Sequence, residues 1–166
     1  KMETNSDIPD LEKDDGYGNK TTSDEEKAQV LNSYFKTVFT LENRQQIPDV
    51  REKACTSMLD KLDINVDTVM NKLKALNPNK SPGQDQIHPK VLHELRDQIA
   101  IPLTLIFNKS IKGGVLPMDW KIANVTAIYK KGSKHKAENY WPVSLTSVCC
   151  KILGSVIREA ITDHMK

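Results

Sequence analysis

The sequence predicts an α/β fold that is mostly helical and carries one small antiparallel hairpin. Four segments repeat apolar residues at the i, i+3 and i+4 spacing of amphipathic helices. Two further segments, rich in β-branched and aromatic residues, flank a polar loop between Gly132 and Pro142. The helices are therefore expected to build the core, and the hairpin to be the strand-forming part.

Composition favours a piece of a larger core over a complete one. The chain has 166 residues, of which 38% are hydrophobic, a share below the globular average. The net charge of +2 does not indicate nucleic acid by itself. However, residues 1–27 are mostly acidic and residues 109–136 mostly basic, which predicts an anionic partner for the second half.

Several classes of protein are disfavoured by what the sequence lacks. The polar, acidic start is unlike a secretory signal, and no apolar run reaches the length of a membrane span. The three cysteines, Cys55, Cys149 and Cys150, show no paired spacing, and the four histidines are scattered, so reduced thiols are expected and zinc is not. We expect an intracellular protein of the nucleus or cytoplasm that is not secreted and has no membrane partner.

The first helix is predicted to begin after a polar, turn-rich segment, residues 1–22, which we expect to be a linker or a poorly ordered arm. Ser23 and Glu26 fit a capping box. The apolar face is expected to pack in a core rather than to form an aromatic ligand site. That face consists of Val30, Leu31, Tyr34, Phe35, Val38 and Phe39.

The second helix follows a long mixed connection, residues 40–65, in which Met58, Leu59 and Leu62 suggest at most a turn or two of helix. Asp63 or Asn65 is expected to cap it, and Asn77-Pro78 to end it, because a residue before proline resists the helical region.

A turn is predicted next, around Pro82-Gly83 and Asp85. Lys80 and this turn suit a contact with a nucleic-acid backbone, but Pro-Gly followed by Asp is also common turn chemistry. The spacing favours the purely structural interpretation.

The remaining helices have clear boundaries. Pro89 suits the first position of the third helix, Pro102 should kink or split it, and Gly113-Gly114 should stop it. Trp120 is expected to be a packing anchor. The last helix should run from about Val148 to His164.

The hairpin is predicted from Ile122–Tyr129 and Val143–Thr146. Between them lie the basic pair Lys130-Lys131, a Gly132-Ser133 turn and a lysine-rich loop. Such a loop suits a polyanion, because flexible lysines can close over phosphates. Most lysine runs are only solvated surface, and composition alone favours that alternative.

Four stretches together resemble the front of the reverse transcriptase domain of non-LTR retrotransposons (LINE elements), of the chicken-repeat-1 and jockey-like group. They cover most of the chain in the family's order, which is more specific than any single motif. The stretches are EEKAQVLNSYFKTVFT, NKSPGQDQIHPKVLHEL, PLTLIFNKSIKGGVLPMDWKIANVTAIYKKGS and ENYWPVSLTSVCCKIL.

The resemblance implies an incomplete right-hand polymerase fold, in which residues 23–166 are the N-terminal, fingers part of an RNA-directed DNA polymerase, a nucleotidyltransferase of a transposable element. The hairpin would be the fingers hairpin, with Lys130 or Lys131 touching the triphosphate of the incoming nucleotide. The implied partners are an RNA template, a DNA primer and dNTP, together with the missing palm and thumb or another chain.

The candidate nucleotide and nucleic-acid contacts combine this implication with the basic loop. They are Lys121, Lys130, Lys131, Lys134, Lys136 and Trp141. At Trp141 the family usually has arginine, which grips phosphate bidentately as tryptophan does not. From the sequence we favour a disabling substitution there over a base-stacking role.

Two other positions depart from the family, and catalysis is not expected of this chain alone. Gly83-Gln84-Asp85-Gln86 replaces the usual Gly-Pro-Asp-Gly, and Gly154 stands where glutamate is usual. The palm aspartates that hold Mg²⁺ in the full-length family would follow Lys166, so we expect no catalytic residue and no cofactor here. Three hypotheses stay open: an inert polymerase fragment, a nucleic-acid-binding module, and a protein-interaction remnant.

Overall fold

The computed structural model describes residues 8–38 and 62–166. Within these ranges the chain combines α-helices with one two-stranded antiparallel sheet, which confirms the α/β class. The helices are α1 (Asp24–Thr37), α2 (Val66–Lys74), α3 (Pro89–Glu94), α4 (Arg96–Gly113) and α5 (Val148–His164), and the strands are β1 (Ala123–Tyr129) and β2 (Tyr140–Thr146).

The chain divides into two compact units. Unit 1 comprises Lys1–Val50 and Val125–Val143, and unit 2 comprises Arg51–Asn124 and Ser144–Lys166. The chain passes from unit 2 to unit 1 within β1 and returns within β2. The predicted connection around Met58 and Leu59, and Cys55, lie outside the described residues.

The core of unit 2 is built from one face each of α2, α4 and α5. Val69, Leu73 and Phe107 are completely buried, and Ile152 and Leu153 are nearly so. Because these residues recur at helical spacing, the pattern places them on single faces that pack together. The rings of Trp120 and Phe107 meet edge to face with centroids 5.7 Å apart, so the predicted packing anchor at Trp120 is confirmed.

Helix ends follow the predicted chemistry. The Asn65 side chain accepts a 2.7 Å hydrogen bond from the Thr68 amide and starts α2. Gly114, in the left-handed conformation, ends α4. Ser147 caps α5, whose bounds agree with the prediction. These ends are set by a few adjacent residues, which is why the sequence predicts them.

The predicted split at Pro102 is wrong, whereas a kink there stays a prediction. The helix divides instead at Leu95, and Pro102 lies inside α4. Ala100 and Leu103, on either side of the proline, are buried in the unit 2 core. We infer that this burial offsets the hydrogen bond that proline removes.

The segment around Gly83 is a turn, as predicted. The Gln86 amide donates to the Gly83 carbonyl at 3.1 Å, and the Ile87 amide donates to the Asp85 carboxylate at 3.2 Å. A Cβ added to Gly83 would lie 2.5 Å from the Ser147 nitrogen, so the turn backbone rests against the start of α5. Only glycine permits this approach.

Residues 8–22, part of the segment expected to be a linker or a poorly ordered arm, contribute to the packing of unit 1. Leu11 is completely buried in a cluster with Leu31, Phe35 and Tyr140. The Leu11 amide donates to the Thr21 hydroxyl at 2.8 Å, so the segment closes on itself. The segment is polar in composition, but its one completely buried leucine, Leu11, packs against residues distant in the chain and anchors it.

The capping box of α1 is present in extended form. The Ser23 hydroxyl accepts from the Glu26 amide at 3.2 Å, while the Glu26 carboxylate accepts from the Thr22 amide at 2.7 Å. Lys13 also donates to this carboxylate at 2.8 Å. The hydrogen bond from Lys13, followed by that from Thr22, lowers the pKa of Glu26 from 4.5 to about 2.

We expect the stability of unit 1 to fall in acid because of this carboxylate. A folded pKa below the unfolded value contributes stability above pH 4.5 that is lost as the pH falls toward about 2. Glu26→Gln should therefore flatten the decline in melting temperature between those pH values. A Glu25→Gln control removes an exposed neighbouring carboxylate, and an equal flattening in both variants would contradict the prediction.

Several apolar side chains remain exposed in unit 2. On α4, Ile101, Leu105 and Ile106 keep 58%, 66% and 44% of their surface in contact with solvent. The expectation that such faces contact palm and thumb segments or another chain stays a prediction. In the described ranges, every helix is too short or too polar to cross a membrane.

Candidate nucleic-acid interface

The hairpin pairs the two predicted extended segments. β1 matches its prediction within one residue, whereas β2 begins at Tyr140, three residues before the predicted start. Pro142 lies inside β2, which a two-stranded sheet tolerates because each strand has an outward edge that needs no amide donor. The Lys130 amide donates to the Asn139 carbonyl at 2.8 Å and continues the pairing toward the loop.

The loop between the strands, residues 130–139, is held by its own side chains. Tyr129 donates its hydroxyl to the Gly132 carbonyl at 2.6 Å, and Tyr140 donates to the Lys134 carbonyl at 2.7 Å. The side-chain amide nitrogen Nδ2 of Asn139 donates to the Ser133 carbonyl at 2.9 Å. Gly132 has φ +89°, and a Cβ there would meet the Asn139 side chain at 2.8 Å. These hydrogen bonds fix the backbone of residues 130–139, which we call the loop platform.

Tyr140 connects this platform to the interior of unit 1. Only 3% of the residue is exposed, and its ring meets Tyr129 edge to face at 5.8 Å. Burial, and secondarily the neighbouring Tyr129, raises the pKa of the Tyr140 phenol. The hydroxyl therefore stays protonated and keeps donating to Lys134 across the neutral range.

The N-terminal segment braces the same loop from another side. The Glu12 amide donates to the His135 carbonyl at 2.8 Å, and the His135 ring nitrogen Nδ1 lies 2.7 Å from the Asp10 carbonyl. Sequence reasoning missed this role, because contacts between residues so far apart in the chain leave no local pattern.

Four of the predicted lysines are brought together on this loop, and all four are exposed. Lys130 Nζ lies 4.6 Å from the centroid of the Trp141 ring, and Lys134 Nζ lies 5.5 Å from that of Tyr129. Lys136 is 4.0 Å from the Glu138 carboxylate, at the limit of an ion pair. Lys131 carries the fourth ammonium group. The loop therefore presents more positive than negative charge.

Lys121 is exposed but lies in unit 2, at the end of the short 3₁₀ turn Met118–Trp120. It is not part of the loop platform that unit 1 forms. Its predicted nucleic-acid contact stays a prediction.

A cleft of about 390 Å³ lies beside the Trp141 ring. Sequence reasoning had assigned Tyr34 and Val38 to the packing face of α1, and it missed Glu138 as a possible contact. The helical spacing of the apolar residues in α1 correctly placed Tyr34 on the inward face of the helix. The same side chain also lines the cleft. The cleft is lined by Tyr34, Val38, Lys130, Glu138, Tyr140, Trp141 and Pro142.

A second cleft of unit 1, about 700 Å³ in volume, is less suited to a polyanion. Glu12, Asp14 and Glu138 line it together with only two lysines, Lys13 and Lys136. Its carboxylates would repel phosphate groups.

The resemblance implies Mg²⁺, held by carboxylates, for the full-length family. In residues 8–38 and 62–166, no group of three or more His, Cys, Asp or Glu side chains is placed to hold a metal ion. The described residues therefore do not supply the ligand set of a two-metal centre.

Comparison with known proteins finds similar chains among polymerases of mobile elements but no matching family model. It is 28% identical over 155 residues to a probable RNA-directed DNA polymerase from transposon BS of Drosophila melanogaster, covering 89% of this chain and 17% of that protein. It is also 28% identical over 139 residues to the RNA-directed DNA polymerase from mobile element jockey of the same organism, covering 80% and 15%.

A further relative extends the similarity to another type of element. It is a putative 115 kDa protein in the type-1 retrotransposable element R1DM of Drosophila melanogaster, 28% identical over 102 residues that cover 61% of this chain and 9% of that protein. The chain is thus similar to the reverse transcriptases of non-LTR retrotransposons over most of its length. It spans less than a fifth of the length of these relatives.

Proposed function

We propose that this chain is part of an RNA-directed DNA polymerase of a non-LTR retrotransposon and that its β1–β2 loop contacts nucleic acid. In this proposal, residues 23–166 correspond to the N-terminal, fingers part of the polymerase, and the chain alone does not catalyse synthesis. The partners would be an RNA template, a DNA primer and an incoming nucleotide.

The observation that carries the proposal is the braced lysine loop. Four exposed lysines lie within seven residues, on a loop whose shape is fixed by hydrogen bonds from Tyr129, Asn139 and Tyr140. A fixed platform loses little conformational entropy on binding, so its charges contribute more than those of a mobile run. This favours a phosphate-binding role over a merely solvated loop.

The type of contact follows from the chemistry of lysine. An ammonium group acts as a point charge without the planar geometry of arginine, and its contacts to phosphate carry no sequence information. Binding should therefore be sequence-tolerant, modest in affinity and dependent on salt. Such contacts suit a template or a nucleotide triphosphate.

Loss of two loop lysines should weaken binding to a labelled single-stranded RNA, measured by fluorescence anisotropy. We expect Lys131→Ala with Lys134→Ala to weaken binding on the order of 10-fold at low salt, because two phosphate contacts are lost. Lys90→Ala with Lys151→Ala makes the same change in net charge at two exposed lysines of unit 2 and serves as the control. An equal loss in both double variants would show a diffuse charge effect and refute a loop-specific site.

A further inference from the structure

We propose that Trp141 and the cleft beside it receive an unpaired nucleobase of a single strand, and not a phosphate group. The inference rests on the proposed function, because the neighbouring lysines are taken to hold the backbone of that strand. It gives Trp141 a positive role in place of the disabling substitution that the sequence favoured.

The Trp141 ring is accessible, as the alternation of side chains along β2 allows when its neighbour is buried. The residue is 57% exposed, although Tyr140 beside it in β2 is almost completely buried. An exposed indole on a braced strand offers a flat aromatic surface that needs no ordering before use. Single-stranded nucleic acids bind to such surfaces because every base has an aromatic face.

The lining of the cleft suits a base better than a phosphate. Tyr34, Val38, Tyr140 and Pro142 contribute aromatic and apolar surface, and the charges of Lys130 and Glu138 cancel. A phosphate is held by several donors at once, whereas this cleft has one ammonium group and a carboxylate that would repel it. The volume of about 390 Å³ lies in the range of small-ligand clefts.

Lys130 does not prevent stacking. Its ammonium lies 4.6 Å from the centroid of the Trp141 ring, in an exposed cation–π contact. Such a contact is worth about 2- to 5-fold in an equilibrium, whereas stacking of a base on an aromatic side chain is worth about 5- to 100-fold. A base therefore displaces the ammonium from the ring, and Lys130 remains close enough to meet the phosphate of the same nucleotide.

The test compares two probes with equal charge: a short single-stranded oligoadenylate and an abasic strand of the same length. We expect the unaltered chain to bind the oligoadenylate about 5- to 100-fold more tightly. Trp141→Ala should erase most of this preference, and Trp141→Phe should keep much of it. Tyr17→Ala, which removes an aromatic ring that is 88% exposed elsewhere in unit 1, should leave the preference unchanged.

A second readout is the fluorescence of Trp141, which stacking should quench. Trp141→Phe supplies the background from Trp120. If neither strand binds at low salt, the proposed function itself fails. If both strands bind equally to the unaltered chain, or if Trp141→Ala keeps the full preference, the base-stacking inference is overturned while the loop interface stands.

Discussion

Phe107→Ala is expected to destabilise unit 2 by about 3–5 kcal/mol, the usual cost of removing a buried aromatic ring. Phe107 is completely buried on α4, among the side chains of the unit 2 core and against Trp120. Its removal would leave a cavity whose walls come from several helices and cannot all relax at once. Urea unfolding followed by helical circular dichroism measures the loss.

The control for this change lies on the same helix. Leu105→Ala shortens an apolar side chain that is 66% exposed and should alter stability by no more than about 0.5 kcal/mol. Both variants keep good helix formers at their sites, so helix propensity contributes little to the difference. Equal losses of unfolding free energy for Phe107→Ala and Leu105→Ala would contradict the burial of Phe107 and the exposure of Leu105.

Gly83→Ala is expected to destabilise unit 2 by about 2 kcal/mol or more. The added Cβ would lie 2.5 Å from the Ser147 nitrogen and 2.5 Å from the Thr146 carbonyl carbon, which are backbone atoms that cannot rotate away. The turn or the start of α5 must move, and such overpacking typically costs about 1–3 kcal/mol or more. Alanine also restricts the unfolded chain, but that gain is below about 1 kcal/mol.

Gly154→Ala is the matched control for Gly83→Ala. Gly154 lies within α5, and a Cβ there has no neighbour within 4 Å. The same chemical change should therefore stabilise the protein by about 1 kcal/mol, because alanine is the better helix former. The two glycines should thus give shifts in melting temperature of opposite sign, and a neutral Gly83→Ala would contradict the close approach of the turn.

What the sequence predicts well in this chain is decided by neighbouring residues. The caps at Ser23 and Asn65 depend on one side chain and an amide three positions later. The bounds of α5 and the first strand follow from periodicity in the same way. Local rules are sufficient there because no distant residue competes with them.

The features that the sequence did not predict depend on distant residues. The loop of residues 8–22 is ordered by Leu11 inserting among side chains of α1 and β2, which its polar composition hides. The helix continues through Pro102, and we infer that the burial of Ala100 and Leu103 in the core offsets the cost of the proline. Neighbouring residues determine the free-energy cost of ordering a polar segment or of placing proline in a helix. Packing against distant residues determines whether that cost is offset.

The candidate site shows the same division. The lysines were predicted because a charged loop between two strands is a local pattern, and Trp141 because the resembling family usually has arginine there; their contacts stay predictions. The cleft was not found, because it brings Tyr34 of α1 next to Trp141 of β2, more than a hundred residues later. Considered alone, Trp141 only departs from the arginine that is usual in the resembling family. Together with Tyr34 and Pro142, it lines an aromatic and apolar cleft.

The salt dependence of single-stranded RNA binding tests the central claim most directly. Contacts from four loop lysines predict that the logarithm of the binding constant falls with the logarithm of salt concentration with a slope of about −3. Removing Lys131 and Lys134 should reduce that slope to about −1.5, while the Lys90 and Lys151 control keeps it. A slope near zero, or one that the loop variant leaves unchanged, would contradict a phosphate-binding loop.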